Sequence, residues 1–269
     1  MKSLKIFLQH FLKNRGQFVF LSLLIGKITA FLGIWSVIRL LPISEFGLLS
    51  IVASVFSIFS AFNGFGSPQS LLRFGSISNE KMEKVALSSY LFRKGFLYQI
   101  VLSILFFGSS VFFLEKYENI ILVFFFFTIR LFGFYFFLHI QSHFRINEDN
   151  GTFSWVNNVV NIGGLVLLLI LTYFLGFIGY LVAIAITPFI SLIWIKQIPI
   201  KFSKLDFSFK KSELLSYGLF ASGTVLLSDL LFSADILLLG FFLDETAVGN
   251  YKVAILIPAN ITFLSLVLF

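Results

Sequence analysis

The chain contains no cysteine, which removes disulfides, thiolate nucleophiles and cysteine-ligated metals together. Imidazole is nearly as scarce: His10, His139 and His143 are the only histidines, a poor basis for a metal site. Charge is also scarce, at 12% of residues, against roughly 25% in a soluble domain. Signature motifs of catalysis are missing too, with no Gly-x-x-x-x-Gly-Lys phosphate loop, no His-Glu-x-x-His and no Gly-x-Ser-x-Gly. These absences point away from an enzyme and imply no cofactor.

What is present is apolar. Of 269 residues, 58% are hydrophobic and 39 are phenylalanine, and the mean hydropathy is +0.97. A water-soluble globule of this size would carry apolar patches that water does not tolerate in a monomer, so the solvent is lipid. The net charge of +7 does not mark a nucleic-acid partner, because the cations sit in short loops between apolar runs. Lys2, Lys5, Lys13 and Arg15 precede the first run, as in a signal peptide, but residues 17–41 exceed an h-region of about 7–15 residues and more runs follow, which predicts an uncleaved first span.

Cutting the sequence at polar interruptions of runs of about 20 residues predicts an all-α polytopic membrane protein. Its eight spans fall near 17–41, 46–66, 91–114, 120–140, 154–175, 177–195, 215–241 and 249–269. Alternate loops carry Lys2, Lys5, Lys13 and Arg15, then Arg73, Lys81, Lys84, Arg93 and Lys94, then Arg145, then Lys196, Lys201, Lys204, Lys210 and Lys211, fifteen of the 20 cations. The other side offers Lys116, with Arg39 and Lys252 at span ends. The positive-inside rule places the N-terminus in the cytoplasm. Leu4, Phe7, Leu8, Phe11 and Leu12 recur at helical spacing, predicting an interfacial amphipathic helix over 1–16 in contact with membrane lipids.

The basic connector after the sixth span marks a lobe boundary, giving a six-helix lobe over 17–195, a cytoplasmic linker over 196–214 and a second lobe opening at 215–269. Leu41-Pro-Ile-Ser-Glu-Phe-Gly47 and Leu243-Asp-Glu-Thr-Ala-Val-Gly249 match as turns between the paired spans of each lobe, the pattern of a transporter built from repeats. The run ends in the eighth span at Phe269, and a mirrored second lobe would have four spans more.

An ionisable group at the bilayer centre costs roughly 2.5–3.5 kcal/mol on insertion scales, and four stand in the spans: Lys27, Arg130, Asp229 and Asp235. Lys27 lies about 15 Å from the inner interface, beyond the reach of its side chain, and the two aspartates are about 9 Å apart along one helix. Either they form buried ion pairs that hold helices together, or the cations bind an anionic head group while the acids carry a coupling proton or sodium ion. Asn157, Asn158 and Asn161 share one helix face and are expected to pack helices through amide bonds. Asn63-Gly-Phe-Gly-Ser-Pro68 is expected to break the second span, with Arg73 and Arg93 around the mouth that follows.

Three stretches, Arg39–Gly47, Asn63–Phe74, and Tyr217-Gly218 through Asp235–Gly240 to Val248–Tyr251, resemble the bacterial O-antigen and capsular polysaccharide flippases of the multidrug/oligosaccharidyl-lipid/polysaccharide exporter superfamily. The resemblance implies a two-lobed exporter of twelve or fourteen helices, passing undecaprenyl-pyrophosphate-linked oligosaccharide to the outer leaflet by alternating access beside a glycan polymerase complex. Lys27, Arg130, Arg73 and Arg93 would then guide the pyrophosphate, and Asp229 or Asp235 would couple an ion. A cation-coupled multidrug exporter, or a non-transporting scaffold for glycan assembly, remain as other readings.

Overall fold

The computed structural model describes residues 15–200 and 207–268, and every regular element among them is helical. Residues 1–14 of the amphipathic helix expected over 1–16, and residues 201–206 of the 196–214 linker, fall outside the described residues. The helices are α1 (Gly16–Leu40), α2 (Ile43–Ala61), α3 (Ser67–Ile77), α4 (Lys81–Gly108), α5 (Ile120–Ile146), α6 (Asn150–Ile186), α7 (Lys211–Phe242) and α8 (Glu245–Leu268). Six helices, some with their 3-10 continuations, are long and apolar enough to cross a membrane. Large side chains such as Phe112 and Leu231 stand 85% and 83% exposed, as lipid-facing residues do and water-facing ones do not. The protein is an all-α polytopic membrane protein.

The fifth of these spanning segments, Asn150–Gln197, is twice the length a bilayer needs. Gly176 breaks it, with φ 57° and ψ −133°, a conformation essentially reserved for glycine. Beyond the break the chain runs back along itself: Gly179 lies against the Leu171 carbonyl, Gly164 against Thr187 and Gly163 against Ile190. The result is an antiparallel hairpin whose return arm ends in a 3-10 winding, Thr187–Gln197. Nothing crowds the Gly176 α-carbon, so Gly176→Ala tests the backbone conformation alone. It is expected to destabilise by about 1–3 kcal/mol, read as a drop in melting temperature of the purified protein.

The motif expected to break the second span does so. Asn63–Gly66 forms a short 3-10 turn in which Gly64, Phe65 and Gly66 all take positive φ. The segment 67–90, read from its polar residues as a connector, is instead mostly helical, since Pro68 in the first turn presets α3 and α4 begins ten residues before the expected span. Polar composition marked where the chain leaves the apolar layer, not where it stops being a helix.

α2 is the most enclosed helix, walled by α5, α7 and α8. Its core is aromatic: Phe56 meets Phe127 edge-on at 5.6 Å, and Phe59 meets Phe106 at 5.3 Å, arrangements favoured by the ring quadrupoles. α7 runs antiparallel to α2 and α3, touching at Ile51 and Gly240, Ser57 and Ser233, and Gly66 and Gly218. At the end carrying the 41–42 and 243–244 turns, here the turn end, Gly47 of α2 lies on the Glu245 backbone and Gly249 of α8 lies on the Ile43 backbone. Residues 43 and 245, like 47 and 249, are 202 positions apart, so the two matched turns pack reciprocally.

The opposite, linker end is fastened by Glu83, which accepts from the Ser208 nitrogen at 2.8 Å and hydroxyl at 2.6 Å and from the Ser78 hydroxyl. At the turn end Lys116 donates to the carbonyls of Gly240 at 3.0 Å and Phe241 at 2.6 Å, and Tyr117 donates to Gly240. These donors satisfy the orphan carbonyls of α7, and the ammonium complements its dipole. Burial, with Glu245 and Asp244 nearby, pushes the Tyr117 phenol up to about 12, so it stays a donor throughout the physiological range.

Candidate functional site

A cavity of about 520 Å3 opens inside the bundle between α1, α2, α5, both arms of the 150–197 hairpin, α7 and α8. Its walls combine Leu, Ile, Val and Phe with a comparable number of polar residues. α2 contributes Ser50, Ser54 and Ser57, spaced i, i+4, i+7 on one face. Each hydroxyl donates one turn back, to Phe46, Ser50 and Ser54 carbonyls at 2.8, 3.0 and 2.8 Å, so the donors are satisfied without water while the oxygens remain acceptors. Ser57 also reaches Ser233 of α7 at 3.2 Å.

Arg130 lines this cavity from the middle of α5. Its guanidinium carbon lies 5.0 Å from the Phe56 ring centre and 5.7 Å from that of Phe127, within cation–π range. The Tyr180 hydroxyl is its electrostatic neighbour. Among the described residues no carboxylate pairs with it, so the charge is supported by aromatic faces and left available to an anion entering the cavity.

Lys252 lines the same cavity from α8. It interacts electrostatically with Asp235, whose two oxygens accept from the Ile236 nitrogen at 2.8 Å and from the Tyr251 hydroxyl. Reading Lys252 as a span-end cation missed this. The signal was its place two turns inside an apolar helix that begins at Glu245, as the serine stripe was the signal on α2.

The remaining candidates do not converge here. Lys27 is exposed on α1, one position from the face that buries Ser22, Gly33 and Val37, and it is absent from the cavity wall. Arg73 and Arg93 are exposed on α3 and α4. Asp229 is half-buried on α7 and makes no hydrogen bond or ion pair among the described residues. Of the six residues singled out from sequence, the structure brings Arg130 to the cavity, and Asp235 beside it through Lys252.

The asparagine cluster splits between roles. Asn157 ties three helices, donating to the Ser22 carbonyl at 2.8 Å and accepting from Gln141 at 3.0 Å, which is the packing role expected. Asn161, one turn on, is on the cavity wall. Among the described residues no three His, Asp or Glu side chains gather as a metal site.

No curated protein and no solved structure matches the chain. The family profile described as polysaccharide biosynthesis protein matches residues 13–264, nearly the whole sequence. With its membrane-spanning helices and a polar-studded internal cavity, the chain therefore belongs to this family, that of the O-antigen and polysaccharide flippases.

Proposed function

We propose that the protein moves a polyprenyl-pyrophosphate-linked oligosaccharide from the inner to the outer leaflet of the bacterial cytoplasmic membrane. The observation that carries this reading is the pair of cations, Arg130 and Lys252, on a cavity otherwise lined by apolar, hydroxyl and amide groups. Pyrophosphate is bound best by guanidinium and ammonium donors in a water-poor site, and sugars take hydroxyl and amide partners over apolar faces. The lipid tail needs no pocket, since it stays in the bilayer. Two cations on the wall repel cationic drugs, which disfavours the cation-coupled multidrug exporter.

The topology that fits has the linker end in the cytoplasm, where Lys81, Lys84, Arg145, Lys196, Lys210 and Lys211 lie. It counts eight passes, with the hairpin as two, a lobe over 17–195, the linker 196–214 and a second-lobe pair over 215–269. The reciprocal packing of the Gly47 and Gly249 turns supports two related lobes. Rocking of one against the other would expose the cavity to each side in turn.

Ion coupling is assigned to Asp235. While ionised, it competes with substrate for Lys252; a proton from the bulk on the carboxylate removes that competition and frees the ammonium for pyrophosphate. Asp235→Asn mimics the protonated form. It is expected to keep substrate binding but to lose the dependence of transport on an imposed proton gradient, measured as lipid-linked glycan flipped into proteoliposomes. An Asp235→Asn protein that still follows the gradient as the parent does would remove Asp235 from coupling.

The whole reading is tested by expression in a cell lacking its own flippase. Restored surface polysaccharide supports it, and absence across several glycan types despite good membrane expression overturns it.

A further inference from the structure

A second hollow, of about 720 Å3, lies at the linker end, between the start of α4, the end of α5, the 147–149 connector and the end of the 187–197 winding. Lys81 and Lys84 reach it from α4 and Lys196 from the winding, with the amides of Asn147 and Gln197 among them. These residues come from three separated stretches of chain, so the convergence is a product of folding.

Two carboxylates, Glu148 and Asp149, share the lining with the three ammonium groups. Asp149 is already engaged, its Oδ1 accepting from the Thr152 nitrogen at 3.0 Å as the cap of α6. Lys84 is held in place by donating to the Ile146 carbonyl at 2.7 Å; an ammonium has three N–H donors, so it retains donors for a ligand. Val85, Phe144, Ile198 and Pro199 form the apolar part of the lining. His143 also lines the hollow, buried at 8% exposure and hydrogen-bonded to the Ser88 hydroxyl at 2.9 Å.

The lining of the hollow thus combines three ammonium groups with apolar side chains, where the helices give way to connectors. A soluble anion would use only the ammonium groups. A phospholipid uses both, placing its phosphate among the lysines and its glycerol and upper chain against the apolar wall, as basic pockets between membrane helices do. We propose that this hollow binds the phosphate of a membrane phospholipid head group. The site is separate from the central cavity, and the inference does not depend on the transport reading.

Native mass spectrometry of the purified protein in mild detergent tests it, followed by thermal melts in phosphatidylcholine nanodiscs doped with phosphatidylglycerol or phosphatidylethanolamine. The parent protein is expected to retain one phospholipid per chain, with the melting temperature in each doped disc reporting which head group the site prefers. Lys81→Gln/Lys196→Gln, which leaves the structural bond of Lys84 intact, is expected to cut the retained fraction about tenfold or more through loss of charge-assisted bonds. The control Lys94→Gln/Lys210→Gln/Lys211→Gln is expected to keep the lipid. Preference for phosphatidylethanolamine would add Glu148 as partner of its ammonium, and preference for phosphatidylglycerol would leave the lysines as the ligands; both support the site. Equal retention by the double variant, equal loss by the control, or the same stabilisation from inorganic phosphate without lipid would overturn it.

Discussion

Replacing Arg130 by methionine is expected to reduce surface polysaccharide in a flippase-deficient cell by roughly 10- to 100-fold while the protein remains folded in the membrane. The magnitude follows from losing a hydrogen-bonded charge at the substrate, worth about 1.5–3 kcal/mol. Methionine keeps most of the volume between Phe56 and Phe127, so packing is little changed. No acid among the described residues pairs with Arg130, so the change strands no buried carboxylate. A purely structural arginine would give the opposite pattern, with reduced membrane expression and unchanged transport per molecule. Arg130→Lys is expected to fall between, since lysine keeps the charge but loses the planar fork that matches a pyrophosphate. Transport of Arg130→Met at the parent rate, at equal expression, would take the residue out of the binding site.

The second large effect concerns the crossing of α2 and α8. A methyl added at Gly47 would overlap the Glu245 carbonyl and come within 2.9 Å of the Gly249 nitrogen, and one at Gly249 would overlap the Ile43 carbonyl. These neighbours are backbone and cannot rotate away, so the helices themselves must separate. Gly47→Ala is expected to cost about 3 kcal/mol or more, at the upper end of overpacking effects, read as lost monodisperse protein and a lower melting temperature. Because both glycines serve one crossing, Gly47→Ala/Gly249→Ala should cost less than the sum of the single changes. Gly223 supplies the control: a methyl there meets nothing within 4 Å, so Gly223→Ala within α7 should be neutral or stabilising by about 0.5–1 kcal/mol. Equal effects at Gly47 and Gly223 would refute the close crossing.

The break at 63–66 was legible because two glycines and a proline in six residues act locally. The reversal at Gly176 was legible as a span boundary, since a 48-residue apolar segment exceeds any single crossing. Arg130 was legible as a residue of interest because an arginine in mid-span demands a reason. Lys27 met the same criterion, yet the structure leaves it off the cavity wall. The insertion cost says that such a cation needs a polar environment, but which way it faces depends on how its helix is rotated, and α1 is turned so that Ser22 and Val37 face inward. Lys252 shows the converse: a span-end cation by apolar composition, it stands two turns inside a helix that begins at Glu245.

The sequence by itself determined that the solvent is lipid, that the elements are helices, where they turn, and which end carries the cations. Each of these follows from composition and local pattern, because a backbone in hydrocarbon must satisfy its own hydrogen bonds and a loop must reach water. The tertiary structure alone decided that Ser57 meets Ser233, that Gly47 and Gly249 cross reciprocally, that Arg130 and Lys252 share one cavity, and that Lys81, Lys84 and Lys196 share another. Those are meetings of residues far apart in the chain. They depend on helix rotation and close packing among side chains, which apolar periodicity leaves open in a protein whose outer faces are as apolar as its core.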